Sequence, residues 1–89
     1  MIVEFDKSFE KSLEKLKDLS LLSKVERIIL SLESTDSLRQ LKNITKLTGY
    51  KVYYRIKINE YRLGFEMIKE DRIRLIIIAH RKDIYKRFP

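Results

Sequence analysis

The hydrophobic period of this chain changes once, near residue 50, and that change restricts the fold more than any other feature. Before it, apolar residues recur at helical spacing: Phe9, Leu13 and Leu16, then Leu21, Leu22, Val25, Ile28, Ile29 and Leu32. After it, Tyr50, Val52, Tyr54, Ile56 and Ile58 alternate with Lys51, Tyr53, Arg55 and Lys57, the period of a half-buried strand. A chain that is helical first and strand-forming afterwards segregates its layers, so the expected class is α+β.

Turn and cap residues divide the two halves. Met1 to Phe5 predicts a short first strand, closed by Asp6 as a helix N-cap. A break at Asp18-Leu19-Ser20 separates the helical stretches, which are expected to form an antiparallel hairpin. Ser34 to Gly49 is turn-rich and lacks a clean period. There Leu38, Leu41, Ile44 and Leu47 are expected to pin a partly helical connector to the core, with Gly49 ending it. Asn59-Glu60 reads as a two-residue hairpin turn, because asparagine tolerates positive φ. Tyr61, Leu63, Phe65 and Met67 then alternate with Arg62, Gly64 and Glu66, and Lys69-Glu70-Asp71 turns again. Ile73 to Ala79 ends apolar on both faces, as a central strand does. Residues 82–87 predict a short helical turn. The expectation is one domain over residues 1–89, with the hairpin on one face of a four-stranded, mainly antiparallel sheet.

Composition narrows the chemistry. There is no cysteine and a single histidine, which argues against disulfides and against a zinc site; no metal and no cofactor is expected. The longest apolar run is far short of a membrane span, and Glu4 and Asp6 interrupt any leader-like stretch. A soluble cytoplasmic protein without a membrane partner is expected. Net charge is +7, and it is lopsided. Residues 1–49 hold nine Lys/Arg against eight Asp/Glu, whereas residues 50–89 hold eleven against five. A field concentrated in one half suits a polyanionic partner, nucleic acid or acidic protein.

Strand parity locates that field. With Asn59-Glu60 as a two-residue loop, Lys57 lies opposite Arg62, Arg55 opposite Gly64, and Tyr53 opposite Glu66, on the face the apolar set leaves open. Two cations directly across a strand pair repel, at roughly a few tenths of a kcal/mol. Splaying into water is the bland outcome. Convergence on an anion such as a phosphate is the preferred one, with Gly64 leaving open space beside the cations.

The end of the last strand adds His80-Arg81-Lys82, with Tyr85 four residues after Arg81. Neighbours in a strand alternate, so His80 or Arg81 is expected to point to the cationic face. A guanidinium there binds phosphate in bidentate fashion, and histidine is the residue type that gives or takes a proton near neutrality. Tyr85 is suited to stacking on a base or bonding to ribose. Each residue alone reads as a strand terminus or a core cap; together with Arg55, Lys57 and Arg62 they read as a site.

Residues 54–66 (Tyr-Arg-Ile-Lys-Ile-Asn-Glu-Tyr-Arg-Leu-Gly-Phe-Glu) and 78–85 (Ile-Ala-His-Arg-Lys-Asp-Ile-Tyr) resemble the RelE side of the RelE/ParE toxin superfamily. The likeness extends to Lys46-Leu47-Thr48-Gly49 and to the amphipathic helical pair, and so covers essentially the whole chain. It implies a toxin of a type II toxin–antitoxin pair: a metal-independent endoribonuclease that cleaves messenger RNA in the ribosomal A site. The family's cationic strand positions fall on Arg55, Lys57 and Arg62, its late-strand arginine on Arg81, and its C-terminal tyrosine on Tyr85. His80 stands where members differ in their acids and bases. No upstream carboxylate matches the general base of the glutamate-using branch, since Glu66 also reads as a neutralising neighbour. Lys51, Tyr53, Lys82, Lys86 and Arg87 are expected to extend the RNA-binding surface.

The mechanism implied is attack of a ribose 2′-hydroxyl on the adjacent phosphate, leaving a 2′,3′-cyclic end and a free 5′-hydroxyl. Lys57, Arg62 and Arg81 would stabilise the phosphoryl charge, Tyr85 or a lysine would take the first proton, and His80 or Arg81 would supply the second. The partners implied are the ribosome, messenger RNA and an acidic RelB-like antitoxin that wraps the toxin as a heterodimer or heterotetramer. Two other readings stay open: a ParE-like inhibitor of DNA gyrase on the same fold, and a non-catalytic basic module that binds RNA or protein.

Overall fold

A computed structural model describes residues 1–89. The first strand, β1 (Ile2–Phe5), leads into α1 (Lys7–Glu14) and α2 (Leu19–Ser34). Each helix begins at the aspartate that the sequence singles out. The Asp6 carboxylate accepts from the Ser8 N–H at 3.0 Å, and that of Asp18 accepts from the Leu21 N–H at 3.1 Å. A short 3₁₀ turn (Leu38–Gln40) precedes β2 (Ile44–Lys46), β3 (Tyr53–Ile58), β4 (Tyr61–Lys69), β5 (Arg72–His80) and α3 (Ile84–Arg87).

The strands form one sheet in the order β1-β5-β4-β3-β2. It has five strands rather than four. The additional strand is β2, which lies in the segment read as a partly helical connector and pairs antiparallel with β3. Three residues are too few to show a period, and their partners lie eight to twelve residues ahead. The connector is helical only over its 3₁₀ turn. β3 also starts at Tyr53 rather than Tyr50; Tyr50 and Val52 are largely exposed and fall in the turn before it. β1 pairs parallel with β5, and all other pairings are antiparallel.

One face of the sheet carries α1 and α2 over a core that includes Phe9, Leu21, Val25, Leu32, Ile56, Leu63, Phe65 and Leu75. The opposite face is not simply open. α3 folds across it and buries Ile84 and Phe88 against Leu47, Ile77 and Ala79, a second and smaller apolar cluster.

A β-bulge decides which side chains of β5 reach which face. Gly64 pairs with Ile77 and Phe65 with Leu75, so Ile76 has no partner on β4. Before the bulge Ile73 and Leu75 face the helices; after it Ile78 and His80 do. The backbone is satisfied from α1: the Ser8 hydroxyl bonds the Ile76 carbonyl, and the buried Ser12 hydroxyl accepts from the Ile78 N–H at 3.0 Å.

Candidate functional site

The β3–β4 hairpin has the register its sequence predicts. Tyr53 pairs with Glu66, Arg55 with Gly64, Lys57 with Arg62, and Ile58 with Tyr61. Asn59 turns the chain with φ of 53°. Arg55 and Lys57 therefore project from the face opposite the helical layer, and neither has a carboxylate partner. The guanidinium of Arg55 lies over the ring of Tyr85, 4.8 Å from its centroid. Tyr85 is 75% exposed. An aromatic ring that open contributes little to the core, and it presents one flank to a cation and the rest to solvent.

Gly64 departs from the sequence expectation, and His80 takes the face away from the cations. Gly64 leaves no open space, because the Phe88 ring fills it; a Cβ built there would meet ring carbons at 2.7–2.8 Å. His80 is turned to the helical side by the bulge, where its ring meets Tyr61 edge-on at 5.5 Å, opposite it on β4. There it lines a small hollow with Ser12, Lys15, Asp83 and Arg87. Its Nδ1 accepts the Lys82 N–H at 3.2 Å. Alternation left open which of His80 and Arg81 faces the cations, and the bulge turns His80 away from them.

The remaining cations have partners of different kinds. Arg62 donates to the carbonyls of Asn59 and Tyr61 at 2.9 and 2.8 Å, which folds its guanidinium back onto the hairpin turn. Arg81 forms an ion pair with Glu60 at 2.7 Å, and its N–H donates to the Glu60 carbonyl at 2.8 Å. The sequence places Glu60 in the hairpin turn but not in the site; its position beside the late-strand arginine was the available signal. Glu66 is paired with Arg74 at 3.2 Å, the neutralising role. Tyr53 is half-buried and meets Phe88 edge-on at 5.6 Å. Lys51, Lys82, Lys86 and Arg87 are exposed.

At the other end of this face Glu4 sits between Arg72 and Arg74, at 2.7 and 3.1 Å. Their hydrogen bonds, Arg72 foremost, hold the Glu4 carboxyl below its ordinary range. The face is thus neutralised at one end and cationic at the hairpin end.

The family model described as the ParE toxin of type II toxin–antitoxin systems, parDE, matches residues 3–85. The chain belongs to the RelE/ParE toxin superfamily. Within it, the chain is 38% identical over 90 residues to Toxin RelE3 of Methanocaldococcus jannaschii, with both proteins covered in full. The RelB–RelE antitoxin–toxin complex of Methanococcus jannaschii matches with a TM-score of 0.81 and 34% identity, over 97% of this chain and 99% of that one. The RelE–RelB complex of Pyrococcus horikoshii OT3 shares the fold, with a TM-score of 0.72 and 22% identity over 90% of this chain and 93% of that one. The two similarities above 30% identity place this RelE-like toxin on the RelE side. No helix of it is long and apolar enough to cross a membrane.

Proposed function

We propose that this toxin is a ribosome-dependent, metal-independent endoribonuclease that cuts messenger RNA and so stops translation. The observation that carries the reading is the exposed Tyr85 ring held against the unpaired Arg55 guanidinium. An aromatic and a cation side by side on a basic face suit an unstacked base and its phosphate.

In this mechanism the substrate 2′-hydroxyl attacks the adjacent phosphorus, the P–O5′ bond breaks, and a 2′,3′-cyclic phosphate and a free 5′-hydroxyl result. Tyr85 receives the 2′-hydroxyl proton while Arg55 and Lys57 favour the negative charge. Arg81, released from Glu60, and Arg62 bind the phosphoryl oxygens, and Arg81 supplies the proton that the departing 5′-oxygen takes up. His80 lies across the sheet from the Arg55–Tyr85 pair and acts by holding the turn that presents Arg81 and Lys82. Lys51 before β3, Tyr53 on it and Lys86 on α3 extend the surface, with Arg87 beside His80. The similarity to toxins solved with RelB supports an acidic RelB-like antitoxin as the restraining partner.

Primer extension on messenger RNA in a cell-free translation system, with wild type beside Arg81→Ala, tests the reading. Cuts that need ribosomes and vanish in the variant are expected. Arrested growth with intact message would assign the toxin to gyrase or another target, and no effect of either kind would leave a basic binding module.

A further inference from the structure

The groove between α2 and the β3–β4 hairpin, about 530 Å³, is lined by three cations and no carboxylate. Lys24 and Arg27 stand on α2, facing Asn43, Lys57 and Asn59. The Lys24 ammonium donates to the Asn59 side-chain oxygen at 3.2 Å, so it is already drawn from the helix toward the hairpin. None of the three cations has an ion-pair partner. Like charges three residues apart on a helix repel, and Lys57, whose side chain leaves β3 toward the opposite face, borders the groove. This grouping does nothing for the folded chain by itself; an anion in the groove relieves it.

The lining also selects among anions. Its only apolar members are Ile28 and Ile58, whereas an acidic protein segment gains most of its affinity from apolar and aromatic anchors seated in pockets. Cations interleaved with amide side chains instead match phosphate and ribose oxygens. Lys57 belongs both to this groove and to the strand that carries Arg55, so a strand of phosphates held at one reaches the other.

We propose that the groove binds the phosphodiester backbone of single-stranded RNA, as a subsite apart from the Arg55–Tyr85 centre. The proposal takes its ligand class from the ribonuclease reading, and its test does not use cleavage. A fluorescently labelled oligouridylate is titrated with purified toxin across a salt series, comparing wild type, Lys24→Ala/Arg27→Ala and the charge-keeping Lys24→Arg/Arg27→Lys. Alanine suits both helical positions, and thermal melts confirm that each variant is folded. The alanine variant is expected to bind more weakly, with the log–log salt slope reduced by about 1.4, two contacts at about 0.7 each on a single strand. The charge-keeping variant is expected to retain the wild-type slope. An unchanged slope in the alanine variant, or no binding by wild type, overturns the subsite and leaves cleavage to its own assay. Loss of binding to polyglutamate with RNA binding intact also overturns it, because the occupant is then an acidic protein. Wild type that binds the oligonucleotide with the expected variant pattern yet cuts no message supports the subsite and removes the ribonuclease reading alone.

Discussion

Gly64 and Phe88 are in direct contact: the Phe88 ring occupies the volume that any Cβ at position 64 would need. That contact seats α3 on the sheet, and α3 carries Tyr85. The glycine at the centre of the cationic strand pair is therefore where the C-terminal segment docks. Gly64→Ala is expected to lift Phe88 from the sheet, destabilise the fold by about 1–3 kcal/mol and move Tyr85 away from Arg55. Cleavage should fall further than the lost folded fraction explains. A variant with wild-type melting and activity would show that α3 docks without this contact.

The ion pair of Arg81 with Glu60 suggests the second test. Both side chains are more than half exposed, at 54% and 62%, so the pair contributes little to stability. Glu60→Gln is expected to leave the melting midpoint nearly unchanged and to strengthen RNA binding, since Arg81 no longer exchanges a carboxylate for a phosphate. Weaker binding would mean that Glu60 positions Arg81 rather than competing for it.

Much of this geometry was legible beforehand, and the exceptions share a cause. The hairpin register followed from Asn59-Glu60 and the alternation around it, both local features. The N-caps Asp6 and Asp18 were equally local. The bulge at Ile76 was not, because its unpaired groups are satisfied by Ser8 and Ser12, more than sixty residues away in sequence. That one inserted residue sent His80 to the helical side. The docking of Phe88 on Gly64 and the pairing of β2 with β3 are also non-local, and no periodicity in residues 44–46 or 84–88 announces them.

Ser12 provides the third prediction. Its hydroxyl is buried, accepts from the Ile78 N–H and donates to the Phe9 carbonyl at 2.8 Å. Ser12→Ala removes the acceptor and strands a buried N–H, at about 1–3 kcal/mol. For a domain of this size that lowers the melting midpoint by about 4–8 °C per kcal/mol. An unshifted midpoint would mean that the bulge does not depend on α1.

Acid should loosen the fold from the β1 side. Hydrogen bonds from Arg72 and Arg74 hold Glu4 below its ordinary value of 4.5, and those from the Ser8 hydroxyl and N–H hold Asp6 below 3.8. The unfolded chain therefore takes up protons first as pH falls, so this stabilisation is complete above the ordinary values and is lost on going down through them. The melting midpoint should decline on that acid limb, and Glu4→Gln should flatten it. An identical limb in the variant would assign the acid sensitivity to other carboxylates.

The Arg55–Tyr85 contact separates two roles that one residue can hold. Tyr85→Phe keeps the ring under the Arg55 guanidinium and removes only the hydroxyl. If Tyr85 receives the 2′-hydroxyl proton, this variant should bind RNA as wild type does and lose about a hundredfold or more in cleavage rate, within the range for a general base. Tyr85→Ala should lose binding as well, since base–aromatic stacking is worth about 1–3 kcal/mol. Single-turnover cleavage on programmed ribosomes, read beside equilibrium binding, distinguishes the cases. A phenylalanine variant that cleaves normally would make Tyr85 a stacking platform and remove it from the proton transfer.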